Sequence, residues 1–137
     1  MYKQKITPFL TFNGQALEAM NYYVSILKDA KITRQTPYNN SSPMAKEGDE
    51  EKILHGAMEL SGEEIIFLDM VGGYEAPAFT WSNSLLINCE TESEFDGLFD
   101  ALAKEGSVMM GPESVGDIRK CAWVTDKFGV TWQPVWK

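Results

Sequence analysis

The 137-residue sequence is 44% apolar and 23% charged, the balance of an ordinary folded protein with room for one hydrophobic core rather than two independent domains. Its formal charge of −8, from 20 acidic and 12 scattered basic residues, argues against nucleic acid or anionic lipid as partners. One histidine excludes sites that need several imidazoles, and no apolar run approaches the roughly 20 residues that span a bilayer.

Residues 6–12 are rich in aromatic and β-favouring side chains and predict a strand, ended by Asn13-Gly14, which can also cap a helix after it. Over 15–28, Leu17, Met20, Tyr23, Val24 and Leu27 recur at helical spacing, with polar residues opposite. A short strand is expected at 32–35. Residues 36–52 combine Pro37, Asn39, Asn40, Ser41, Ser42 and Pro43 with the acidic run 47–51. That composition predicts a loop, either a lid or a disordered stretch. Two strands, 53–60 and 63–69, meet at Ser61-Gly62 as a hairpin.

Val71, Gly72, Gly73, Tyr74 and Pro77 form a connection between modules. A strand is then expected at 82–88. Thr91 and Glu94 fit a capping box ahead of a helical stripe of Phe95, Leu98, Phe99 and Leu102, closed by Gly106. A weak strand at 107–110 and firmer ones at 121–125 and 130–136 complete the chain, the last two joined by a turn at 126–129. The two halves repeat one order: strand, helix, weak strand, hairpin. Aligning Pro8 with Ser84 also pairs Glu18 with Glu94 and Lys28 with Lys104. The expected architecture is α+β, a single domain over 1–137 made of one βαβββ module at about 1–73 and a second at about 79–137.

Three stretches carry a family resemblance. They are 6–16 (Ile-Thr-Pro-Phe-Leu-Thr-Phe-Asn-Gly-Gln-Ala) with 18–23, then 54–60 (Leu-His-Gly-Ala-Met-Glu-Leu), and 121–133, which ends Asp-Lys-Phe-Gly-Val-Thr-Trp-Gln. Together they resemble PhnB-like proteins of the vicinal oxygen chelate superfamily, which includes glyoxalase I, extradiol dioxygenases and bleomycin-binding proteins. The resemblance implies a glyoxalase/bleomycin-resistance-like fold with mixed sheets around a cleft, and a homodimer. Its enzymes hold a divalent metal with His, Gln or Glu from four strands, whereas its bleomycin binders use the cleft without metal. Those ligand positions fall here on Pro8, Ile66, Ser84 and Gln133. Only Gln133 is an ordinary oxygen ligand, so no metal or other cofactor is expected. Relatives of this kind carry the label demethylubiquinone methyltransferase, yet no glycine-rich nucleotide loop stands after the first strand.

His55 is the chain's single imidazole, the side-chain type most used as a general base near neutral pH. Strand alternation sets His55, Ala57 and Glu59 on one face, where Glu59 is available to a His55 general base. Trp81, with Tyr74 and Phe79, offers aromatic walls for a ligand, and Asp69 ends its strand where it can face a cleft. Cys121 comes directly after Arg119 and Lys120, cations that lower a thiol pKa when close. With no signal-type apolar segment at the start, both cysteines are expected reduced and the protein cytoplasmic.

These features predict a metal-free small-molecule-binding protein, with Gln133, Trp81, Ser84 and Asp69 as ligand-binding residues. The alternative is a lyase, isomerase or oxygenase that uses His55 as a base, or a displaced metal around His55, Glu59 and Gln133. A methyltransferase ranks third.

Overall fold

A computed structural model describes residues 4–39 and 42–137. Its elements are β1 (Phe9–Phe12), α1 (Ala16–Ile26), β2 (Lys31–Pro37), β3 (Ile53–Leu60) and β4 (Glu63–Asp69), then β5 (Ser84–Cys89), α2 (Glu92–Ala103), β6 (Ser107–Val115), β7 (Ile118–Thr125) and β8 (Thr131–Trp136). The chain divides into two compact units, Met1–Pro77 and Ala78–Lys137. Each unit holds one four-stranded sheet. The strand orders are β1-β4-β3-β2 and β5-β8-β7-β6, so the faint sequence repeat is a repeated topology. In each sheet one parallel pair (β1 with β4, β5 with β8) adjoins antiparallel pairs. This is the α+β glyoxalase/bleomycin-resistance architecture.

In the first unit, α1 packs Ala16, Ala19, Met20 and Tyr23 onto one face of its sheet, all fully buried. Tyr23 and Phe12 both meet the Phe67 ring, at centroid distances of 6.0 and 5.9 Å. Met20 lies so close over Gly56 that a Cβ there would stand 2.8 Å from its sulfur. The β3–β4 hairpin turns at Ser61 and Gly62, both with positive φ, the conformation that a two-residue type I′ turn requires.

The second unit repeats the scheme with Phe95, Leu98 and Leu102 of α2 over Val124 and Trp132. Thr91 caps α2 by accepting from the Glu94 amide at 3.1 Å, as the capping box predicts. The Glu94 carboxylate accepts from the Glu90 amide, one residue earlier than the motif anticipates.

The start of α1 departs from expectation. Neither Asn13 nor Gly14 caps it. The free amides of Gly14 and Ala16 donate instead to Asp69 Oδ1 at 2.9 and 3.0 Å. The 36–52 segment also holds more order than its composition implies. β2 extends to Pro37, and residues 42–52 form turns held by Asp49. Asp49 accepts from the amides of Lys46 and Gly72 and from Lys52 Nζ. Asn40 and Ser41 of this loop lie outside the described residues, as do Met1–Lys3.

Candidate functional site

In the second unit, a turn fixes the register of the last hairpin. Asp126 Oδ1 accepts from the Phe128 and Val130 amides at 2.8 and 3.1 Å, and Oδ2 accepts from Trp132 Nε1 at 2.9 Å. That carboxylate sets Thr125 opposite Thr131 and Val124 opposite Trp132. Val124 and Trp132 are buried on the α2 side. Alternation therefore turns Trp123 and Gln133 to the face away from the helix.

Gln133 Nε2 donates to Ser84 Oγ at 2.7 Å, so the two expected ligand-binding residues are joined across β8 and β5. Both are half-buried. The register from Cys121 opposite Val135 to Val124 opposite Trp132 also places Trp123 directly across from Gln133. Trp81, 60% exposed, stands edge-on to Trp123 with ring centroids 5.9 Å apart. Trp81, Ser84 and Gln133 thus gather around Trp123, a residue that the sequence alone did not single out. Phe79 belongs to this unit but packs beside Gly129, whereas Tyr74 belongs to the first unit.

In the first unit, Gly56 faces Met20 of α1, so His55, Ala57 and Glu59 point the other way. His55 and Glu59 do not form a dyad. They lie about 13 Å apart along the strand at about 3.3 Å per residue, and each has its own partner on β2. Arg34 Nη1 lies 3.3 Å from His55 Nδ1, an arrangement in which the imidazole nitrogen accepts. Lys31 Nζ lies 3.7 Å from Glu59, an exposed pair.

Asp69 is not a ligand-facing residue. It is 1% exposed; Oδ1 accepts from the Gly14 and Ala16 amides and Oδ2 from the Ile53 amide at 2.9 Å. Its carbonyl accepts from the Tyr38 hydroxyl at 2.7 Å. Burial, then the Asp69 and Asp49 carboxylates, push that phenol above its ordinary range. Both carboxylate oxygens of Asp69 are thus engaged by the fold.

The two cations that precede Cys121 are engaged elsewhere. Alternation sends Lys120 to the helix side, where Nζ binds Glu92 and Asp96 of α2 at 2.9 and 2.7 Å. Arg119 stacks on the Trp136 ring at 3.8 Å.

The metal positions of the superfamily do not fit a divalent ion. In the first unit Pro8 offers only its carbonyl, which accepts from the Ile66 amide at 3.0 Å, and Ile66 is buried and apolar. In the second, the Ser84 hydroxyl and Gln133 amide are neutral and bonded to each other. A hard or borderline cation needs anionic oxygens or imidazoles to offset its dehydration. Among the described residues no three His, Cys, Asp or Glu side chains converge.

Comparison with known proteins agrees with this architecture. The profile of a family described as 3-demethylubiquinone-9 3-methyltransferase matches residues 4–135. A PhnB protein from Bacillus cereus, also titled as such a methyltransferase, superposes with a TM-score of 0.84 at 36% identity, over 98% of this chain and 100% of its own. The chain belongs to this PhnB-like family. Protein YjdN of Escherichia coli K12 is 24% identical, over 93% of this chain and 91% of YjdN. A glyoxylase/bleomycin resistance protein/dioxygenase domain from Frankia shares the fold at 14% identity and a TM-score of 0.65, over 97% of this chain and 91% of that one. The PhnB-like chain thus shares its fold with glyoxalase/bleomycin-resistance proteins. Among its described residues no helix is long and apolar enough to cross a membrane.

Proposed function

We propose that this PhnB-like protein binds a small organic molecule, without a metal ion, on the face of the β5-β8-β7-β6 sheet away from α2. The observation that carries this reading is the Gln133–Ser84 hydrogen bond beside Trp123 and the exposed Trp81. A half-buried amide and hydroxyl keep unused donor and acceptor capacity next to aromatic surface, the usual make-up of a site that orients a small ligand. The methyltransferase name of the family is not carried into the proposal. After β1 the Gly14 and Ala16 amides are held by Asp69, so that turn does not offer them to a nucleotide-type cofactor. The family likeness further supports a homodimer, which sedimentation equilibrium would measure.

The deciding experiment is a titration of the protein with aromatic and drug-like compounds, monitored by tryptophan fluorescence and repeated on Gln133→Ala. Saturable quenching that weakens in the variant supports the proposal. If no compound changes the emission up to millimolar concentration, or if Gln133→Ala binds as well as the parent, the proposal fails.

A further inference from the structure

The four strands of the second sheet place Met110, Trp123, Gln133 and Leu86 in one row on the face away from α2. The row on one side is Ser107, Thr125, Thr131 and Ser84; on the other side it is Glu113, Cys121, Val135 and Asn88. The one formal charge in these rows is the Glu113 carboxylate, at the β6 edge. An anionic ligand placed here would lose hydration with no cation in the rows to replace it.

The row holds one polar anomaly. Trp123 Nε1 is buried and has no hydrogen-bond acceptor among the described residues. Trp132 provides the contrast, since its indole N–H is bound by Asp126 at 2.9 Å. A buried donor without an acceptor is costly, and in a folded protein it calls for an explanation. Trp81 stands edge-on against the same indole and is itself largely exposed and outside any strand.

Resting on the proposed binding face, we infer that its ligand is a planar aromatic molecule without an anionic group, bearing a carbonyl or hydroxyl oxygen, and that Trp123 selects it by donating to that oxygen. The ligand ring takes over the edge contact between Trp81 and Trp123. Its oxygen receives the Nε1–H, and the Gln133–Ser84 pair borders it across the row. Trp123 is therefore a specificity-determining residue as well as a wall.

Three probes of one shape separate these elements: naphthalene, 2-acetylnaphthalene and 2-naphthoate, titrated calorimetrically into the full chain and into Trp123→Phe. The phenylalanine keeps an aromatic ring and removes the donor. The parent is expected to bind 2-acetylnaphthalene about five- to tenfold tighter than naphthalene, the worth of one ordinary hydrogen bond. 2-Naphthoate should bind about tenfold weaker than 2-acetylnaphthalene, because its charge finds no partner. In Trp123→Phe the advantage of 2-acetylnaphthalene over naphthalene should vanish. The indole N–H proton signal missing from that variant should move downfield in the parent on adding 2-acetylnaphthalene.

Equal or tighter binding of 2-naphthoate would overturn the inference, as would a substitution that weakens all three probes alike. Naphthalene binding without oxygen preference would end this inference and leave the binding face standing. Binding of none of the three would end this inference.

Discussion

The amide of Gln133 and the hydroxyl of Ser84 lie 2.7 Å apart, and they bridge the parallel strands β8 and β5 on the face away from α2. In the register that the family resemblance implies, these two positions correspond to metal ligands, whereas here the two side chains bond to each other. Removing the hydroxyl with Ser84→Ala leaves a half-buried Gln133 N–H without its acceptor, at a cost of about 1 kcal/mol in urea unfolding. After exposure to manganese, iron, nickel and zinc and then desalting, elemental analysis should find only substoichiometric metal in both proteins. One equivalent of a single metal in the parent, lost in Ser84→Ala, would show that the pair is a ligand set after all.

Asp69 makes a different prediction. Its carboxylate joins the start of α1 to the start of β3 through three backbone amides. Asp69→Asn keeps the shape but turns one acceptor oxygen into an NH₂ that faces a donor. Bonds to charged groups are worth about 1.5–3 kcal/mol, and one of the three amides would also be left unpaired. Unfolding by urea should show a loss of about 2–4 kcal/mol. Under folding conditions the variant should bind any ligand of the second sheet as the parent does. A stable variant with lost ligand affinity would return Asp69 to the binding residues.

The contrast between these residues shows which features the sequence reveals. Hairpins and helices arise from local signals, so Ser61-Gly62, the Thr91–Glu94 cap and both apolar stripes appear where periodicity and turn chemistry place them. The cap of α1 does not, because its acceptor lies 53 residues downstream and no local motif encodes it. Adjacency also misleads. Lys120 precedes Cys121, yet the strand pleat turns its ammonium to α2, and His55 and Glu59 share a face but are separated by two pleats. Gln133 and Ser84 are legible through the family register alone. Trp123 escapes notice because the residues flanking it on β7 are apolar on both faces, so alternation cannot say which side opens.

The loop over 42–52 should be sensitive to acid through Asp49. Its carboxyl is lowered from 3.8 to about 2, first by the Lys52 ammonium and then by the Lys46 and Gly72 amides. A depressed folded-state value means that the charged form is the one the fold binds. The contribution is therefore complete above the unfolded value near 3.8 and is lost as pH falls toward about 2. Thermal unfolding of the parent and of Asp49→Asn should differ at neutral pH, with the parent more stable. The difference should shrink below pH 3.8 and close near pH 2. Limited proteolysis within the loop should rise in the same window, and a gap that persists at pH 2 would show that the contacts do not depend on charge.

Cys89 should be chemically silent in the folded protein. It is buried, and burial together with the Glu94 carboxylate pushes its thiol up to about 11. At about pH 8 on the order of one thiol in a thousand is then ionised, against roughly a quarter for a free cysteine with a value near 8.5. The thiolate is the reacting species, so alkylation by iodoacetamide at about pH 8 should be about two orders of magnitude slower in the native state than in urea. Peptide mass spectrometry reads this residue separately from Cys121. Rapid native labelling of Cys89 would mean that the strand end at β5 opens to solvent, and that the packing of α2 over it is weaker than the structure shows.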